Sequence, residues 1–240
     1  MGRPLRVDRG GYVYHVLNRA NADLVVFRKD EDYEAFLRVL HSALEHVPGM
    51  RLLAYCLMPN HWHLALWPRR DGELSDFCHW LTLTHTQRWH AHYRDVGRGH
   101  LYQGRYKSFP IAADEHYFAV CRYVERNALR AGLAPKEELW PFGSLALRAG
   151  LRIEGPRLSE GPLALPEHWV RHVNKPQTEA ELGELRRCVQ RGQPFGPEAW
   201  VRRTAKKLDL LSTFKARGRP RKEPGKGSGQ LRPLFTSCRL

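Results

Sequence analysis

The sequence predicts an α+β fold: a ferredoxin-like split β-α-β antiparallel sheet with extra C-terminal helices and a basic tail. Three observations lead there. Short alternating runs and longer runs with helical spacing follow one another as strand, helix, strand, strand, helix, strand. The middle two strand-like runs are separated only by Pro-Asn, a turn pair. The charge is uneven: of a net +14, residues 201–240 hold +10, with twelve Lys and Arg against Asp209 and Glu223.

The elements follow in order. "GYVYHVLNR" (11–19) alternates and is rich in β-formers, so it is the first strand. "KDEDYEAFLRVLHSALEHVPG" is a helix, acidic in its first turn, with Phe36, Leu37, Leu40 and Leu44 at helical spacing and Pro-Gly as its stop. "RLLAYCLM" and "HWHLALW" are adjacent antiparallel strands. "GELSDFCHWLTLTHTQRWHAHYR" is a second helix despite its Thr and His content. "HLYQGRYKSFPI" alternates as a fourth strand, with Gln103, Arg105 and Lys107 on one face and Tyr102, Tyr106 and Ser108 on the other. "DEHYFAVCRYVERNALRAG" is a further helix closed by Gly132.

Beyond "WPFGS" the pattern weakens. Residues 145–176 are Pro- and Gly-rich and read as an extended connector wrapping the core. "TEAELGELRRCVQRG" and "GPEAWVRRTAKKLDL" are two short helices. The expected domains are 1–144, a C-terminal extension 145–214, and a basic, flexible tail 215–240.

The strong positive charge favours a polyanionic partner, bound in the first 200 residues by local placement of the remaining +4. Five scattered cysteines (Cys56, Cys78, Cys121, Cys188, Cys238) without CxxC spacing argue against a zinc ribbon and a disulfide framework. A basic start without an apolar run argues against a signal peptide, and no stretch is long and apolar enough to cross a bilayer. A reduced, cytoplasmic protein is the expectation.

"MPNHWHLALWP" (58–68) places His61 and His63 on one face of a strand, with Trp62, Leu64 and Leu66 on the other. Without context such a pair is more often structural than metal-binding. Here Asn60 adjoins it, the opposite face is wholly apolar, and two imidazoles with an amide oxygen suit a divalent ion with open positions. In the helix after the fourth strand, Tyr117, Cys121, Val124 and Ala128 form the core stripe. His116, Val120, Tyr123, Asn127 and Arg130 form a second stripe. Tyr123 and Asn127 lie one turn apart, either as interfacial groups or projecting into a cleft, where a phenol serves as a nucleophile. "RGRPRK", with Arg217, Arg219 and Arg221, is either a solvated basic tail or a minor-groove reader of A·T-rich duplex. His79, His85, His90 and His92 lack an acid or Cys to complete a metal set and read as surface or cleft residues.

Taken together, "YHVLNRAN", "MPNHWHLALWP", "LYQGRYKSFPI", "CRYVERNALRAGL" and "GQPFGPEAW" followed by "RGRPRK" resemble the single-tyrosine HUH transposases (His–hydrophobic–His), specifically their REP-associated tyrosine transposase branch. The resemblance covers the chain apart from roughly 145–176. It implies a ferredoxin-like sheet with helices on one face and makes residues 1–144 the catalytic domain. It also implies a divalent metal, Mg²⁺ or Mn²⁺, on His61, His63 and Asn127, with Tyr123 as nucleophile. The substrate it implies is single-stranded DNA bearing palindromic hairpin repeats, cut through a 5′-phosphotyrosine. Arg19, Arg105 and Lys107 match basic positions of the family's motifs and are candidates for phosphate or base contacts. The family usually reads Asn-Pro-Val-Arg-Ala-Gly-Leu where this chain has "NALRAGL", so Ala128 predicts a more regular helix. Two alternatives stand beside this. One is a non-catalytic nucleic-acid-binding module with Trp67 or Tyr102 on the sheet face. The other is a metal-dependent hydrolase in which Tyr123 is only structural.

Overall fold

The computed structural model describes residues 7–22, 24–97 and 99–215. Its frame is β1 (Val13–Arg19), α1 (Asp30–His46), β2 (Met50–Met58), β3 (His61–Pro68), α2 (Glu73–Tyr93) and β4 (Lys107–Ile111). The strands form one sheet in the order β2-β3-β1-β4 with every pairing antiparallel, the split arrangement read from the element order. The helix starts have local causes. Asp32 accepts the backbone N–H groups of Arg28 (2.8 Å) and Lys29 (3.2 Å) at the head of α1. Asp8 accepts those of Leu74 (3.0 Å) and Ser75 (2.9 Å) at the head of α2.

β4 is shorter than the alternation predicts. Residues 101–106 form a loop with Gly104 at its middle, held to the end of β1 by Gln103 N–H donating to the Arg19 carbonyl at 2.9 Å. The predicted sidedness survives: Gln103, Arg105 and Lys107 are exposed while Tyr102 and Tyr106 are buried.

α1 and α2 pack on one sheet face against Tyr14, Val16, Leu52, Tyr55, Leu57, Trp62, Leu64 and Leu66. The other face is covered too, so helices on one face alone is not what the chain forms. There α3 (Glu115–Glu125), the single turn α4 (Asn127–Arg130), α5 (Ser144–Arg148), α6 (Trp169–Asn174) and α7 (Glu179–Arg191) pack over a second core. α8 (Glu198–Lys207) follows. The connector is not wholly extended, since it contains α5 and α6. Trp169, Val173, Leu182, Leu185 and Phe195 contribute to the second core, which explains why an amphipathic C-terminal region follows a complete sheet.

The single regular helix expected over 114–132 does not form; it breaks at Arg126 between α3 and α4. Tertiary contacts enforce the break without a proline at position 128. The Leu129 N–H donates to the Glu137 carboxylate at 2.6 Å instead of continuing the helical ladder. Arg126 donates to the carbonyls of Val173 (3.1 Å) and Asn174 (2.7 Å). Burial pushes the Glu137 carboxyl up to about 7, against the opposing pull of the Leu129 and Ala128 N–H groups. α3 is fixed through Glu125, which accepts from Ser144, from Arg148 Nε at 2.8 Å and from Trp169 Nε1 at 2.6 Å. Among the described residues, no helix is long and apolar enough to cross a membrane.

Candidate active site

The register of β1 against β3 pairs Arg19 with His61, Leu17 with His63 and His15 with Ala65. All six side chains therefore share the face beneath α3. His61 and His63 stand 4.9 Å apart between ring centroids. The Tyr123 ring, carried by α3, lies 6.0 Å from that of His63 at 85°. A cavity of about 810 Å³ opens here. It brings together the sequence-predicted residues His61, His63, Tyr123, Asn127, Arg19, Arg105 and Lys107. Arg217, Arg219 and Arg221 lie outside the described residues.

Both histidines have their Nδ1 atoms engaged. His61 Nδ1 is 2.7 Å from Asn60 Oδ1, and His63 Nδ1 is 2.9 Å from His15 Nε2. Burial, with the charges of Arg19 and Arg130 behind it, pulls His61 down to about 4. Burial, then the neighbouring histidines and Arg130, hold His63 well below the ordinary imidazole value. Both rings are thus neutral near pH 7, the form that ligates a metal, with Nε2 left for the ion. Two oriented neutral imidazoles fit a divalent cation. Asn127 is 4 % exposed, and its Nδ2 donates to the Tyr123 and Val124 carbonyls at 3.0 Å each. Its Oδ1 already accepts from Arg130, so one lone pair is left for an ion.

Other residues of the site were not singled out as site residues by the sequence, although one of them, Arg130, lay on the Tyr123 stripe. His15, wholly buried, sits in an ordinary-looking strand, and only the β1–β3 register reveals its neighbour. Arg130 has its guanidinium carbon 4.5 Å from the Tyr123 ring centroid, a placement helical spacing hinted at. Gln190 and Val189 of α7 line the pocket from the extension. α7 is brought there because Phe195 bonds the edge of β4, its N–H to the Pro110 carbonyl at 2.9 Å and its carbonyl to the Ala112 N–H at 2.8 Å.

Elsewhere the structure sharpens one reading and corrects another. Of the surface and cleft alternatives for His85 it is the cleft that holds: His85 lines a cleft between α1 and α2, 4 % exposed, with Nδ1 2.7 Å from the Tyr102 hydroxyl, and burial lowers it to about 3. The two aromatics of the binding-module alternative are not free to stack on bases. Tyr102 is buried and also accepts from Trp62 Nε1 at 3.0 Å, while Trp67 is roofed by the Arg51 guanidinium 3.3 Å from its ring centroid.

No curated protein sequence matches the chain. Among solved structures it is similar to a REP-associated tyrosine transposase bound to a REP hairpin, at 14% identity and a TM-score of 0.48, covering 67% of this chain and 93% of that one. It is also similar to a chain from Deinococcus radiodurans R1 described as a transposase candidate, at 20% identity and a TM-score of 0.37, covering 52% of this chain and 95% of that one. The family model "Transposase IS200 like" matches residues 10–127, the stretch that runs from β1 through both histidines and Tyr123 to Asn127. Over these residues the chain is similar to the IS200-like transposases.

Proposed function

We propose that the chain is a metal-dependent, sequence- and structure-specific single-stranded DNA endonuclease and strand transferase that works through a covalent 5′-phosphotyrosine. The observation that carries this reading is the meeting of Tyr123 from α3 with His61 and His63 from β3 in one cationic pocket. Hairpin-forming palindromic repeats as substrate follow from the motif resemblance.

Tyr123 Oη is the nucleophile. It bonds to phosphorus as the P–O3′ bond breaks; the tyrosine gives up its proton and the departing oxygen gains one to become a free 3′-OH. The 5′ side stays on the tyrosine. A 3′-OH of another strand then attacks the phosphotyrosine, restores Tyr123 and joins the strands. Arg19, Arg105, Lys107 and Arg130 surround the reacting phosphate and stabilise its developing charge. His61 and His63 would hold Mg²⁺ or Mn²⁺, with the Asn127 amide oxygen as a further donor. Bound there, the ion supplies charge neutralisation at a non-bridging oxygen. Among the described residues no Asp or Glu lines the pocket, so the DNA brings the negative charge.

The test is incubation with hairpin-bearing single-stranded DNA and Mg²⁺ or Mn²⁺, followed by a denaturing gel. A covalent protein–DNA band is expected, and Tyr123→Phe removes it. An adduct that survives Tyr123→Phe sinks the nucleophile assignment. Cleavage without an adduct favours a hydrolase, and no cleavage with either metal favours a binding module.

A further inference from the structure

The chemistry proposed above leaves a wholly buried polar side chain beside the pocket unused: His15, at the centre of β1. Its ring lies edge to edge with that of His63, the centroids 5.1 Å apart and the planes at 21°, with Nε2 2.9 Å from His63 Nδ1. Phe109 and Tyr123 close its other sides, with ring centroids 5.1 and 5.8 Å away. His15 Nδ1 meets no hydrogen-bond partner among the described residues.

Two neutral imidazoles share one proton across this contact, which leaves two arrangements. In the first, His15 donates through Nε2 and His63 Nδ1 accepts. The proton of His63 then sits on Nε2, and the ring offers the pocket an N–H suited to a phosphate oxygen. In the second, His63 donates through Nδ1, and its Nε2 offers a lone pair suited to a cation. His15 must then carry its own proton on the partnerless Nδ1. His61 has no such choice, because the Asn60 amide oxygen only accepts and so fixes the proton on His61 Nδ1.

We infer that His15 is a positioning residue: by accepting the Nδ1 proton of His63 it turns the His63 Nε2 lone pair toward a divalent cation. This rests on the metal reading above. The pocket then has one imidazole whose tautomer is set by Asn60 and one whose tautomer is set by His15.

The experiment follows binding of Mn²⁺ through the electron paramagnetic resonance signal of the free ion. It uses the full chain in the Tyr123→Phe background, with hairpin-bearing single-stranded DNA present and uncut. His15→Phe keeps a ring but removes the acceptor, and is expected to weaken Mn²⁺ binding by roughly tenfold or more, whereas His15→Gln, which restores an acceptor, stays within about threefold of the parent. DNA binding in EDTA is expected to be the same for all three. Nitrogen NMR of the imidazoles in the unsubstituted chain is expected to place the His63 proton on Nδ1 once Mg²⁺ and DNA are added. Mn²⁺ binding by His15→Phe equal to the parent overturns the inference. So does a loss of DNA binding in EDTA alongside Mn²⁺, which marks His15 as packing alone. A His63 proton that stays on Nε2 in the loaded chain overturns it as well. Failure of the metal reading looks different: the parent itself then binds no Mn²⁺, and both statements fall.

Discussion

Trp62 and His63 are neighbours on β3, yet one faces hydrocarbon beneath α1 and α2 and the other faces a polar cavity beneath α3. The two faces are also closed differently. The apolar face is covered by helices that interrupt the strand sequence, α1 between β1 and β2 and α2 between β3 and β4. The histidine face is covered by helices that all follow β4, and these are pinned by buried polar contacts at Glu125 and Glu137. Both faces bury apolar side chains, and the histidine face adds directed bonds that hold its chemistry in place. A two-residue period in the strand is what lets one backbone serve both.

The sharpest way to break this comparison uses adjacent residues. Trp62→Ala removes a fully buried indole and its bond to Tyr102, and is expected to cost about 3–5 kcal/mol in urea unfolding. His61→Ala, one residue earlier and half-buried, is expected to leave the unfolding midpoint near that of the parent while cleavage disappears and DNA binding in EDTA persists. If His61→Ala destabilises as much as Trp62→Ala, the faces do not divide the labour.

The two faces were unequally legible in the sequence. Hydrocarbon periodicity gave the apolar face almost completely, since Phe36, Leu37 and Leu40 of α1 all pack in its core. The histidine face announced its pair through "HWH", but not His15, because a buried histidine in an alternating strand looks like any inward residue. Gln190 was invisible for another reason: it reaches the pocket only through the β4 edge bond made by Phe195, a long-range event without local periodicity. The alternation over 100–111 was right about sidedness and wrong about strand length, because the ladder begins only at Lys107 while Gln103 still bonds Arg19.

The pinning of the histidine face is tested next. Glu125→Ala leaves Arg148, whose side chain is only 20% exposed, without its carboxylate partner, and also unpairs Ser144 and Trp169. About 3 kcal/mol of destabilisation is expected. Glu125→Gln, which keeps an acceptor for Trp169, is expected to lose less. Equal stability of Glu125→Ala and parent would mean that packing alone holds α3.

A smaller effect reads the apolar face by pH. His85, on the apolar face, is lowered by burial to about 3. As pH falls below the unfolded value of about 6.5, the unfolded chain takes up a proton that the folded chain refuses, so stability present above that pH drains away toward about 3. By pH 5 the drain from this one group is about 2 kcal/mol. His85→Gln keeps an acceptor for the Tyr102 hydroxyl and is expected to flatten the fall between pH 6.5 and 5 by that amount in unfolding titrations. The histidine face contributes a fall of the same sign through His15 and His63, so part of the slope remains. An unchanged slope would mean that His85 is protonated or relocated in the folded chain.

The smallest expected effect bears on why the tyrosine-bearing helix breaks. A proline at 128 would match the residue usual in the transposases that the motifs resemble, and a proline ends a helix by lacking an N–H. Here the helix ends before 128 without it, because Glu137 takes the Leu129 N–H and Arg126 is held by carbonyls of α6. Position 128 falls in the first turn of α4, where a missing N–H breaks no helical bond. Ala128→Pro is therefore expected to change unfolding free energy by only about 1 kcal/mol, the loss coming from the Ala128 N–H that helps hold Glu137, and to leave adduct formation within a fewfold of the parent. A large gain in stability or activity would show that the contacts at Glu137 tolerate the break rather than cause it, and that the histidine face is pinned less firmly than its hydrogen bonds indicate.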